Sequence, residues 1–205
     1  MSRYRWKWLL TLVIVNLLYI PLNRRIGFSD SGIELMIGWD KLMPVWPVWV
    51  VPYFLSILYW YGSGWVFGRG LVEIEFRRYV FSMVMVMLVS FCLYALWPTY
   101  VERPVVEESG VFGTWLKWVY SHDNNYNAFP SSHVYFTVVT SYFWWKLVKG
   151  KGWLWVLIVG VVAASTVLTG QHHLLDPVAG LLLGLSVCLM SSKIIGRGGY
   201  ESVNR

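Results

Sequence analysis

Charged residues cut this chain into six long apolar intervals, and a chain divided in this way has few folds open to it. A helix crossing the hydrocarbon core of a bilayer needs about 20 mostly apolar residues and satisfies its backbone polar groups internally. The intervals run from Trp8 to Leu22, Val45 to Val66, Tyr79 to Tyr100, Pro130 to Trp145, Gly152 to Gln171 and Leu174 to Ser192. The first is short unless Trp6 and the flanking basic residues reach the headgroups. Asp176-Pro177 opens the last, where a proline in the first turn has no hydrogen bond to lose. Composition agrees: 57% of the residues are hydrophobic and 14% charged, too apolar for one water-soluble domain. The 14 Trp and 13 Tyr suit the boundary between bilayer and water. Disorder, a coiled coil and a disulfide scaffold are excluded, since Cys92 and Cys188 both lie inside apolar runs. The first run continues into Pro21-Leu22-Asn23-Arg24-Arg25 without a small-residue cleavage site and reads as a retained span. The expectation is an all-α, polytopic integral membrane protein with six transmembrane helices, residues 1–205 forming one domain. Between the first two spans, Ile26 to Met43 mixes Ile33, Leu35, Met36, Ile37 and Trp39 with Asp30, Glu34, Asp40 and Lys41. That pattern suits a short interfacial helix, with an ordinary loop as the alternative.

Basic residues orient the chain, because cytoplasmic loops carry their excess. With the N-terminus inside, the inner segments hold Arg3, Arg5, Lys7, Arg69, Arg77, Arg78, Lys146, Lys149, Lys151, Lys193, Arg197 and Arg205. The outer segments hold Arg24, Arg25, Lys41, Arg103 and Lys117. Residues 1–7 and 193–205 are therefore expected to be cytoplasmic tails, and 101–130 an outer loop. The net charge of +6 is accounted for by this asymmetry, so no nucleic-acid partner is expected.

Chemistry collects on the outer side. His122 and His133 lie in or just after the loop leading into the fourth span, His172 and His173 in the turn before the sixth, and Arg103 just after the third. In Asn127-Ala128-Phe129-Pro130-Ser131-Ser132-His133, small hydroxyl residues start a helix whose free N–H groups suit an anion, with His133 beside it. A serine N-cap followed by an interfacial histidine is the plainer alternative. In Ser165 to Asp176, His172 and Asp176 stand four apart, close enough for the carboxylate to accept the ring Nδ1–H and leave Nε2 facing a substrate. Such a pair orients a nucleophile or base. His173 points elsewhere and reads as an interfacial hydrogen-bonding residue.

Pro130-Ser131-Ser132-His133 resembles the proline-serine-x-histidine motif of the type 2 phosphatidic acid phosphatase family. Ser165 through Asp176 resembles that family's serine-arginine-x5-histidine-x3-aspartate in spacing, and Glu102-Arg103-Pro104 the end of its lysine-x6-arginine-proline motif. The resemblance implies a phosphohistidine on His172 oriented by Asp176, a leaving oxygen protonated by His133, and phosphate held by Arg103 with Ser131, Ser132 and Ser165. It implies a membrane lipid substrate and no cofactor or metal. Two positions depart from the pattern: Leu96 stands where the family has its first-motif lysine and Thr166 where it has the third-motif arginine. With Trp97-Pro98-Thr99 and Gln171-His172-His173, these make the chain look more like the branch of inositol phosphorylceramide synthase and sphingomyelin synthase relatives. That leans the expectation toward transfer of a phosphodiester headgroup, with a lipid phosphomonoester phosphatase of phosphatidic acid or polyprenyl phosphate type as the alternative.

Two readings from other classes compete. A small transporter would usually need ionisable groups at mid-membrane, and here they fall at or beyond the span ends. A zinc enzyme could draw ligands from His122, Asp123, His133, His172, His173 and Asp176, but no compact His-x3-His or cysteine pair supports it. The site is expected on the non-cytoplasmic face of a plasma or inner membrane, or the lumenal face of an internal one; sequence leaves the oligomeric state open.

Overall fold

A computed structural model describes residues 2–23, 32–107 and 110–196. Each apolar interval is occupied by helix: α1 (Arg3–Leu17), continued almost directly by α2 (Tyr19–Asn23), then α3 (Val50–Gly70), α4 (Glu73–Leu96), α6 (Ser132–Leu147), α7 (Gly152–Leu168) and α8 (Leu175–Ile194). A further helix, α5 (Val111–His122), lies between α4 and α6, and two short strands, β1 (Ile33–Glu34) and β2 (Thr99–Tyr100), pair in parallel. Three stretches, Arg3–Leu22, Glu73–Leu96 and Leu175–Ile194, are long and apolar enough to cross a membrane. The 16 residues of α6 and 17 of α7 fall below the usual length. α3 has the length, 21 residues, but works Tyr, Trp, Ser and Gly into its apolar run.

The described part of the stretch expected as an interfacial helix does not form one. Residues 32–43 hold β1 and a single 3-10 turn, Asp40–Leu42. The Asp40 carboxylate accepts from the backbone N–H of Ile37 and of Leu174, at 2.7 Å each, so a side chain competing for backbone donors draws the segment into a turn against the start of α8. Residues 26–31 of that stretch, together with Arg24, Arg25, Arg197 and Arg205 of the charge argument, lie outside the described residues. The amphipathic helix at this end is α5, inside the segment expected to be loop. Leu116 and Val119, three apart, are buried with Val50, Tyr53 and Val106, while Lys117 and Ser121 face outward.

α6 is the central helix, and its neighbours approach it closely. A Cβ on Gly184 of α8 would stand 2.8 Å from the Val138 side chain, and one on Gly180 would stand 2.7 Å from the Ser131 carbonyl oxygen. Two glycines four apart thus let the α8 backbone settle onto α6, as small-xxx-small spacing does in membrane helix pairs. The backbone N–H of Ser131 donates to the Asp176 carbonyl at 3.0 Å, so the two helix starts are tied together. α3 is joined to α6 by hydrogen bonds from Trp60 Nε1 to Thr137 Oγ1 (2.9 Å) and Trp144 Nε1 to Ser63 Oγ (2.7 Å). From α4, the Tyr94 hydroxyl donates to the Pro130 carbonyl at 2.7 Å. At the opposite end, Arg5 pairs with Glu73 at 2.9 Å, and Arg78 joins Glu75 at 2.6 Å to the Ile195 carbonyl at 2.9 Å. The start of α1, the α3–α4 junction and the end of α8 therefore share one charged end, and the starts of α6 and α8 share the other.

Candidate active site

Because α6 and α8 start side by side, the side chains of their first turns converge. His172, in the turn before α8, places Nδ1 3.2 Å from Asp176 Oδ2, and both residues are buried. The same carboxylate oxygen accepts the His173 backbone N–H at 3.0 Å, which fixes the carboxylate in turn. Nδ1–H thus donates to Asp176, and Nε2 remains as the ring's second nitrogen on a side chain that lines a pocket. The turn that sets this ring is closed by the N–H groups of Gln171 and His172, both donating to the Thr166 carbonyl at 3.1 Å. Gly170 makes it possible: its φ is +62°, and a Cβ there would meet Pro104 at 2.7 Å and the Tyr120 hydroxyl at 2.8 Å.

His133 stands across the pocket, its ring centroid 6.4 Å from that of His172. It stacks on Tyr53 at 3.9 Å and meets the edge of Trp60 at 5.1 Å, so aromatic walls from α3 hold the ring while neither of its buried nitrogens has a hydrogen-bond partner. Arg103 completes the arrangement. Its Nη2 donates to the Asn124 carbonyl at 2.9 Å and its guanidinium lies over the Tyr120 ring at 4.8 Å, but Nε and Nη1 are buried and unpartnered. Burial pushes the Tyr120 phenol up to about 12, the nearby Arg103 charge working in the opposite direction, so the ring under the guanidinium stays neutral and its hydroxyl donates to the Thr169 carbonyl. Arg103, Asn127, Ser132, His133, Gln171 and His172 line one narrow pocket. A buried donor without a partner costs about 1–3 kcal/mol, so several of them among the residues of one pocket suit a ligand rich in acceptors, such as an anion.

The other expected residues sit as follows. Ser132 lines the pocket; Ser131 is the residue before the first turn of α6, wholly buried, its hydroxyl without a partner and outside the lining. Ser165 is not brought to the pocket, because its hydroxyl donates to the Val162 carbonyl of its own helix at 2.7 Å. His173 turns away, with Nε2 3.2 Å from Glu34 Oε1 and Nδ1 3.8 Å from Asp40 Oδ1, which ties the segment before α3 to the turn that carries His172. His122, exposed at the end of α5, sits with Nδ1 2.8 Å from the Trp118 carbonyl and borders an adjoining cleft. Asn127 and Gln171 are pocket residues that sequence reasoning missed. Their one visible signal was position, since each lies within or beside a motif already singled out.

The family model that matches the chain is that of the PAP2 superfamily, over residues 52–190. The chain belongs to the PAP2 superfamily. The matched region begins within α3 and ends within α8, so it contains all the PAP2 pocket residues named above. Among curated proteins, it is 29% identical over 143 residues to a protein of Escherichia coli K12 that carries the provisional name undecaprenyl-diphosphatase YbjG, an alignment covering 69% of this chain and 67% of that one. It is 36% identical over 59 residues to the bacitracin transport permease protein BcrC of Bacillus licheniformis, covering 29% of each chain, so the chain spans less than a third of that relative. No solved structure matches it.

Proposed function

We propose that this integral membrane protein is a lipid phosphatase that removes the terminal phosphate of a phosphorylated lipid through a phosphohistidine. The observation that carries the reading is the His172–Asp176 pair facing His133 across 6.4 Å in a pocket where two Arg103 donors await an acceptor. His172 Nε2 attacks phosphorus, the N–P bond forms as the bond to the lipid oxygen breaks, and Asp176 stabilises the charged ring. His133 gives its proton to the departing oxygen, then takes one from water, whose oxygen attacks phosphorus and releases orthophosphate from His172. Arg103 and the N–H groups at the start of α6 hold the phosphoryl oxygens. The lipid chain has a place to lie: the pocket adjoins a cleft that shares Tyr53, Ser132 and His133 with it and continues past Ile57, Trp60 and Phe136. All six apolar intervals cross the membrane in this reading, the shorter helices being completed by their flanking turns.

The name of the Escherichia coli relative points to a polyprenyl diphosphate as one such phosphorylated lipid, orthophosphate being the product released from it as from a lipid monophosphate. Headgroup transfer, to which the absent cations at Leu96 and Thr166 lean, would share the first half-reaction and replace water by a lipid hydroxyl. It rests on that charge argument alone, whereas the named relative supports hydrolysis. The transport in the Bacillus relative's name is the less favoured reading, since the Asp, Glu, Lys, Arg and His side chains of the described α1, α3, α4, α6 and α8 fall within the first or last two turns. The deciding experiment offers purified protein a labelled lipid monophosphate, diphosphate and phosphodiester, each with and without an acceptor lipid. Orthophosphate release from the first two is the expected result, unchanged by chelators. Label passing to the acceptor lipid would establish transfer instead, and no turnover of any of the three would end the phosphatase reading.

A further inference from the structure

Among the described residues, four of the pocket carry buried side-chain nitrogens without a hydrogen-bond partner: Arg103, Asn127, His133 and Gln171. The roles above absorb Arg103 and His133. Asn127 Nδ2 and Gln171 Nε2 have no role so far, although the two residues are only 5% and 4% exposed. Both are held by backbone rather than by their side chains. The Asn127 N–H donates to the Thr99 carbonyl at 2.8 Å, in a left-handed conformation with φ 61° that asparagine tolerates well. Gln171 is held in the tight turn between Gly170 and His172. Two loops thus place two residues with unpartnered amide donors in the lining that His133 and His172 share.

The positions where a cation would be expected make no contribution there. Leu96, at the end of α4, is 84% exposed, and Thr166 is buried with its hydroxyl donating to the Ala163 carbonyl at 2.8 Å; neither lines the pocket. Lys117 is exposed on α5 and does not line it either. Among the described residues, Arg103 is the cationic side chain of the lining.

We infer that Asn127 and Gln171 bind the phosphoryl group through their carboxamide N–H groups, completing with Arg103 the donor set for a phosphate held otherwise by few cations. The inference rests on the lipid phosphatase reading for its natural ligand, but the chemistry belongs to any phosphate: a lipid headgroup and free orthophosphate present the same oxygens. A site of this kind grips by hydrogen-bond geometry more than by charge. A carboxylate in place of either amide would lose the donor and repel the ligand without a change in size.

The test compares the parent protein with Asn127→Asp and Gln171→Glu, and with the neutral Asn127→Gly and Gln171→Met, which keep backbone conformation or length. Orthophosphate binding to the purified proteins is followed by calorimetry, beside kcat and KM for a lipid monophosphate. Each carboxylate variant is expected to weaken orthophosphate binding by roughly tenfold or more, as the loss of a hydrogen bond to a charged group does. The neutral variants are expected to weaken it by less, and KM for the lipid should rise in parallel. If the carboxylate variants fail to fold, the neutral pair decides. Undiminished orthophosphate affinity in folded variants would overturn the inference while leaving a turning-over phosphatase intact. A parent that binds orthophosphate through these amides, yet turns over no phosphorylated lipid, would keep the inference and overturn the functional reading.

Discussion

The two pocket histidines occupy different surroundings, and their substitutions should fail in different ways. His172 is oriented by a carboxylate, so His172→Ala is expected to abolish the phosphoenzyme, checked by trapping labelled protein in reactions quenched with alkaline detergent. His133 is held by Tyr53 and Trp60 without a polar partner, so His133→Ala should slow departure of the lipid oxygen by roughly 10²–10⁴-fold while phosphoenzyme formation stays detectable with a good leaving group such as nitrophenyl phosphate. Asp176→Asn should fall between them, because the ring remains but its tautomer and direction are no longer set. Near-normal turnover by His172→Ala would remove it as nucleophile. These residues were legible in the sequence because a histidine and a carboxylate four apart, or a histidine after a helix start, meet through local geometry. Ser165 lies off the pocket for the converse reason: a hydroxyl inside a helix can reach its own i−3 carbonyl, and no spacing rule reveals that it does so. Asn127 and Gln171 could not be read at all, since their importance lies in lacking a partner, which is a property of the assembled pocket.

The helices around the pocket were foreseen by their apolar intervals, but what packs them was not. Charge intervals locate a helix without saying which faces touch, and the short glycine pair of α8 became meaningful only once α6 was found against it. Gly184→Ala is expected to destabilise the protein by about 1–3 kcal/mol, because its Cβ would have to share space with Val138. The thermal unfolding midpoint in detergent should fall, and activity should fall with it as the starts of α6 and α8 part. Adding Val138→Ala to that variant should restore part of both. An unchanged midpoint would mean that the two helices do not approach as described. The same limit explains α5: with Lys117 and His122 in it and only 12 residues, it offered no interval long enough to attract notice, yet its Leu116–Val119 stripe carries Tyr120 to the underside of Arg103.

Across the molecule, polar chemistry is divided between two ends. Arg5, Glu73, Glu75 and Arg78 bind the helix ends at one, and Arg103, His133, His172 and Asp176 gather at the other. The division follows from parity, because helices that alternate in direction bring the end of α4 and the starts of α6 and α8 together. Basic residues concentrate at the Arg5 end, and from the positive-inside tendency we propose that this end is cytoplasmic and that the pocket lies on the opposite face. A phosphatase arranged in this way would reach lipids only from the leaflet on the far side of the membrane, with their chains entering between α3 and α6 beside Trp60. Single cysteines introduced at position 122 and at position 149, in a variant lacking Cys92 and Cys188, should separate the two faces. An impermeant thiol reagent added to intact cells is expected to label position 122 and to reach position 149 only after the membrane is opened. Labelling in the reverse order would turn the molecule over and put phosphate release in the cytoplasm.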